Sequence, residues 1–146
     1  MVGDARAKLP TWYWTAAILI TLWGATGILA FYMDVAMSDA ARAALPDYDR
    51  QLLAQRPRWV TWLYGLATWG GFFGGLALLA RRRLATYFFA LSLIAAIVQF
   101  AWVFGATDLI AVKGAAATVP FPIFIIVVAV VQLWLARTAA GRGWLR

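Results

Sequence analysis

The chain has 146 residues, of which 64% are hydrophobic and 13% charged, with a formal net charge of +7 and a mean hydropathy of +0.78. A soluble domain is about half apolar and about a quarter charged, so this excess calls for lipid as the solvent. With no Cys, His or Glu, the chain lacks the ligands of structural zinc, iron–sulfur clusters and His-bound haem, Cys or His nucleophile pairs, and HExxH chemistry.

The first apolar stretch, 12–33, follows Arg6 and Lys8 as a secretory h-region would, and ARA at 41–43 offers a small-residue pattern. Its 22 residues exceed the about 7–15 of a cleaved h-region, so a retained span is expected. Three more stretches follow at 59–80, 84–107 and 119–136, and none of the four contains a charge. Twenty-two residues in a helix reach about 33 Å, enough to cross a hydrocarbon core of about 30 Å. Pro120 and Pro122 open the last span, where a helix's first amides have no partner to lose.

The 34–58 connection is the longest between spans. Within it PDYDRQLLAQR (46–56) has Pro46 at the start, Asp47 and Asp49 in the first turn and Arg56 at the end. That order suits a helix dipole. Leu45, Tyr48, Leu52 and Leu53 would form an apolar stripe on the outer interface.

Charges fix the expected orientation. One side carries Arg6, Lys8, Arg81, Arg82, Arg83, Arg137, Arg142 and Arg146 against the single Asp4. The other carries Arg42, Arg50, Arg56, Arg58 and Lys113 against Asp34, Asp39, Asp47, Asp49 and Asp108. The whole excess therefore lies on one face, which predicts cytoplasmic termini and a cytoplasmic Arg81–Arg82–Arg83 turn. The same partition removes nucleic acid as the partner of the basic charge, leaving the bilayer. Aromatic belts at Trp12, Tyr13, Trp14, Tyr87 and Trp134, and at Phe31, Tyr32, Trp59, Trp62, Trp102 and Phe104, mark the two interfaces. The predicted fold is all-α: one domain over 1–146, an antiparallel four-transmembrane-helix bundle with a short amphipathic helix in the first outer loop.

Inside the spans, WGGFFGGLALLA (69–80) places Gly70, Gly71, Gly74 and Gly75 at GxxxG spacings, and Gly24 and Gly27 lie in the first span. Small residues let helix backbones approach in lipid, where no hydrophobic force drives helices together. A phosphate loop is excluded, because no Lys-Ser/Thr follows the glycines. The expected contact is with the chain's own helices, with an oligomer face as the alternative. Trp23 and Trp69 stand in mid-span, each before a glycine, with Thr21, Thr26 and Thr68 as acceptors for their indoles. They read as core fillers or as the walls of a midplane pocket for an apolar or sugar-like ligand. Gln99 and Gln132 are embedded amides that should face the bundle; their different depths argue for separate cross-links rather than one site. Asp34 and Asp108 fall just beyond span ends, within reach of Arg58 or Lys113.

LWGATGILAFYM (22–33), RPRWVTWLYGLATWGGFFGGLALLARRR (56–83) and LSLIAAIVQF (91–100) resemble a group of small four-span bacterial inner-membrane proteins, commonly labelled sugar transporters. The resemblance covers nearly the whole chain, and its best signal is the 69–83 block. It implies a fold and a membrane address. In that group a polar residue often follows the tryptophan of the first motif, where this chain has Gly24.

The expected function is non-enzymatic: an accessory or structural helical subunit, packed on another membrane protein or on itself. The alternative is a small-solute, sugar-like carrier acting as an oligomer. No cofactor is expected. Six aspartates, the only carboxylate side chains, would limit an enzyme to surface Asp chemistry.

Overall fold

A computed structural model describes residues 8–146; Asp4 and Arg6 of the charge balance lie outside the described residues. Among the described residues eight helices follow in order: α1 (Thr11–Val35), α2 (Asp39–Ala43), α3 (Asp47–Gln55), α4 (Arg58–Leu79), α5 (Leu84–Ala106), α6 (Leu109–Lys113), α7 (Ala115–Thr118) and α8 (Pro120–Gly141). No strand occurs among the described residues. All five prolines mark helix starts: Pro10, Pro46 and Pro57 precede α1, α3 and α4, and Pro120 and Pro122 lie in the first turn of α8. Proline forfeits nothing there, because the first amide N–H groups of a helix have no intrahelical carbonyl to donate to.

Helices α1, α4, α5 and α8 are each long and apolar enough to cross a membrane. Helix α8 runs to Gly141, past the expected boundary at 136. The apolar pattern marks where lipid ends, whereas Ala139 and Ala140 sustain the helix beyond it. Leu19, Leu22, Leu29, Ile94, Val127 and Trp134 all point outward and are exposed. So extensive an apolar exterior suits acyl chains rather than water. The chain has the architecture of a multi-pass integral membrane protein.

The bundle is joined in the order α1–α4–α5–α8, and glycines set the two closest contacts. A Cβ on Gly24 would stand 2.6 Å from the Phe72 Cα, and one on Gly75 2.6 Å from the Thr21 Oγ1, so α1 and α4 meet backbone to backbone. Gly27 lies against Thr68, and Gly65 faces the Phe31 ring. On the next face of α4, Gly70 meets the Phe88 carbonyl and Ser92, while Gly74 receives the Phe89 ring, 2.5 Å from a would-be Cβ.

The end holding the three arginines, here the base, is the tightly packed one. Helix α4 stops in a Schellman arrangement: Arg82 N–H donates to the Ala77 carbonyl at 2.7 Å and Arg81 N–H to Leu78 at 3.0 Å. Arg81 has φ 56° in the position usually given to glycine. Helix α8 ends in the same way, with Gly143 at φ 72° and Trp144 N–H donating to Ala139 at 2.9 Å. The segment after α8 then folds under the bundle. Arg146 N–H donates to the Arg81 carbonyl at 2.7 Å, and Arg83 N–H to the Arg146 carbonyl at 2.8 Å. Arg81 Nε donates to the Trp144 carbonyl at 3.0 Å.

Trp144 and Leu145 are thereby buried with Tyr13, Ala17, Leu78, Phe89, Leu135, Ala136 and Ala139. Tyr13, assigned to the interfacial belt from sequence, is fully buried instead, its hydroxyl donating to the Leu78 carbonyl at 2.6 Å. Its ring lies edge-on to Trp144 at 5.8 Å.

A left-handed backbone costs a non-glycine residue about 1–2 kcal/mol, so Arg81 holds its place through its side chain. Arg81→Ala keeps the strain and loses the bond to Trp144, whereas Arg81→Gly loses the bond but relieves the strain. Thermal unfolding in detergent should therefore rank the alanine variant below the glycine one by about 1 kcal/mol. Equal losses would show that the turn is unstrained.

At the opposite, distal end, α3 is strapped across the helix ends. Arg56 pairs with Asp34 at 2.6 Å, Tyr48 donates to Asp108 at 2.8 Å, and Lys113 pairs with Asp49. Asp34 thus pairs with Arg56 rather than with Arg58, because Arg58 already begins α4 and is exposed. Asp108 takes the Tyr48 hydroxyl, leaving Lys113 to α3. Partial burial raises the Tyr48 phenol above its ordinary range, and the Asp108 hydrogen bond and nearby Asp49 act in the same direction. Leu45, Leu52 and Leu53 are half-buried and line one hollow with Trp102 and Val103.

Candidate functional site: a cavity within the bundle

Between base and strap the four long helices enclose a cavity of about 340 Å³. Each contributes residues at helical spacing. Helix α1 supplies Trp23, Thr26, Gly27 and Ala30; α4 supplies Tyr64, Ala67, Thr68 and Gly71. Ser92, Ala96 and Gln99 come from α5, and Phe121, Ile125, Ala129 and Gln132 from α8. Gly24 and Phe100 complete the lining, in which no charged side chain takes part among the described residues. The volume is of the order found for small-molecule sites, about 300–1,000 Å³.

The space exists because α4 gives up side chains on this face. Gly71 leaves a gap whose nearest filler is Ser92 Oγ, 3.6 Å from a would-be Cβ. Ser92 Oγ donates to the Ala67 carbonyl at 2.6 Å, which fixes its direction and leaves an acceptor lone pair. Gln132 is 3% exposed, and its amide nitrogen has no hydrogen-bond partner among the described residues. An unpaired buried amide costs about 1–3 kcal/mol, so Gln132 brings an unsatisfied donor to the wall of the cavity's deep end.

The two glutamines line one cavity, contrary to the expectation of separate cross-links. Gln99 lies about 10 Å from the distal end of α5, and Gln132 about 18 Å from that of α8. The cavity is elongated along the bundle axis and reaches both. Trp23 also lines it, edge-on to Phe124 of α8 at 5.6 Å. Trp69 does not. Its indole is 42% exposed and stacked on Phe73 at 5.5 Å, so it faces the surroundings of the bundle.

The threonine hydroxyls expected to accept from the indoles turn back on their own helices: Thr21 to Ala17, Thr26 to Trp23 and Thr68 to Tyr64 and Gly65. Of the glycines, Gly24, Gly27, Gly70, Gly74 and Gly75 lie in contacts within the chain, while Gly71 opens the cavity. Arg81, Arg82 and Arg83 form the basal turn.

Sequence reading missed Ser92, Tyr64 and Phe121. Ser92 had a legible signal, standing seven residues before Gln99 on the same helix face in LSLIAAIVQF. Phe121 had none, being one apolar residue among many.

Fold and cavity together define a helical multi-pass membrane protein with an internal, uncharged site. The chain finds no match among protein-family models, curated proteins or solved structures.

Proposed function

We propose that the chain is a bacterial inner-membrane protein, with both termini in the cytoplasm, that holds a small uncharged molecule inside its own bundle and carries it in the membrane. The single observation behind this reading is the buried, unpartnered Gln132 amide facing a cavity that also presents Gln99 and Ser92. Amides and aromatic rings around a charge-free space suit neutral hydroxyl or carbonyl compounds, because a charged guest would meet no counter-ion. The sugar-like carrier, the alternative drawn from sequence, is the water-soluble form of this reading. The accessory-subunit reading loses one of its supports, since the glycine faces are occupied within the chain, as the first of the two expected contacts has it.

Orientation rests on the arginines at the base: Arg81, Arg82, Arg83, Arg137, Arg142 and Arg146 all belong to one end. A green fluorescent protein fused after residue 146 should fluoresce in cells, and alkaline phosphatase fused there should be inactive. The reverse pattern would invert the topology.

Binding is tested by native mass spectrometry of the protein released gently from its own membrane. A bound small molecule is expected on wild type and a loss of at least tenfold in occupancy on Gln132→Leu. A co-purifying protein chain with an empty cavity would instead restore the accessory role.

A further inference from the structure

The route into the cavity follows from what closes each side of it. The base is sealed by Leu135, Ala136, Trp144 and Leu145 packed on Tyr13 and Ala17. At the distal end, α3 is tied to α1 and to α6 with its capping residue through Arg56–Asp34, Tyr48–Asp108 and Lys113–Asp49. Three sides of the bundle are closed by the α1–α4, α4–α5 and α5–α8 contacts. The fourth side, between α1 and α8, has no comparable packing, and the Trp23–Phe124 edge contact bridges it at mid-height. Among the cavity-lining residues, Thr26 and Ala30 of α1 and Phe121 of α8 are exposed. They mark the mouth, which lies in the distal half and faces sideways.

We infer that the ligand enters sideways from the bilayer, between α1 and α8, and is a neutral amphiphile. Its oxygen-bearing head accepts a hydrogen bond from Gln132, and its aliphatic part leaves past Phe121 into the lipid. This rests on the reading of the cavity as a binding site and adds the source and class of the ligand. Depth and polarity agree with it. The unpaired donor is at the deep end, about 18 Å along α8, and Phe121 and Ala30 form an apolar rim. A molecule arriving from water would have to displace the strap; one dissolved in lipid meets an open slot. The head must be uncharged, because an ion at this depth would lack both water and a partner.

The test uses the full chain in lipid nanodiscs with a monoacylglycerol probe carrying a diazirine in its acyl chain. Irradiation should label α1 and α8 around the mouth. Excess unlabelled monoacylglycerol should reduce labelling at least tenfold, and glucose or glycerol should not. Gln132→Leu should reduce it by a similar factor. Ala30→Phe, which fills the exposed mouth without touching the core, should slow labelling several-fold.

Competition by glucose equal to that by monoacylglycerol, with labelling indifferent to Ala30→Phe, would overturn lateral entry while leaving the cavity a binding site. No specific labelling, together with no stabilisation by any uncharged compound and no effect of Gln132→Leu, would remove both readings.

Discussion

Trp144→Ala is expected to lower stability by about 3–5 kcal/mol, the range for removing a buried large aromatic side chain. The indole is 9% exposed and lies edge-on to Trp12 at 5.7 Å and to Tyr13 at 5.8 Å, with the Arg142 guanidinium 5.1 Å from its ring. It is also the residue whose N–H closes the end of α8 on Ala139. The backbone bond survives the substitution, but the apolar wedge between α1 and the end of α8 is lost. Because Leu145 and the Arg81 side chain depend on the same segment, neighbouring contacts should loosen together. Thermal unfolding in mild detergent should show the loss, and limited proteolysis should release the segment after Gly141 in the variant but not in wild type. A variant as stable as wild type would mean that the segment only rests on the base.

Gly24→Ala is expected to cost about 1–3 kcal/mol, as overpacking of a tight contact does. The new methyl would meet Phe72 backbone atoms at 2.6 and 2.8 Å, and backbone cannot rotate aside. Helix α1 must then move off α4, which also disturbs the Gly75–Thr21 contact on the same face. Gly105→Ala is the matched control, since nothing lies within 4 Å of its would-be Cβ. That variant should unfold at or above the wild-type temperature, alanine being the better helix former by about 1 kcal/mol. Equal behaviour of the two variants would show that α1 is not held close to α4.

The fold was largely readable because lipid simplifies the code. Uncharged runs of about 20 residues at 12–33, 59–80 and 84–107 are a stronger signal than amphipathic periodicity, and the structure places α1, α4 and α5 within two residues of them. The α3 helix was equally legible from Pro46, Asp47 and Asp49, each acting at the helix start. What stayed hidden were contacts between distant positions. GRGWLR (141–146) looks like an ordinary basic flank, and its burial depends on the three-dimensional arrangement of α1, α4 and α8 at the base.

The cavity was half legible. Trp23, Gln99 and Gln132 stood out as polar or bulky residues in apolar spans, yet depth counted along single helices separated the two glutamines. Trp69 misled for the converse reason. A tryptophan at mid-span fits either an interior or a lipid-facing position, and nothing in its neighbours Thr68 and Gly70 says which face of α4 it occupies.

The two closures of the fourth side differ in kind, and this gives the molecule a gradient of stiffness. Near the base, α1 is locked by buried aromatic rings against the segment that ends α8, and that segment is bonded backbone to backbone to the turn between α4 and α5. Higher up, between α1 and α8, they touch through one ring edge on another. The pair therefore behaves as a clip whose spring is the base and whose jaws are the distal halves. Bending modes should concentrate in the last three turns of α1 and the first three of α8, so lateral pressure in one leaflet would set the width of the slot while leaving the base untouched.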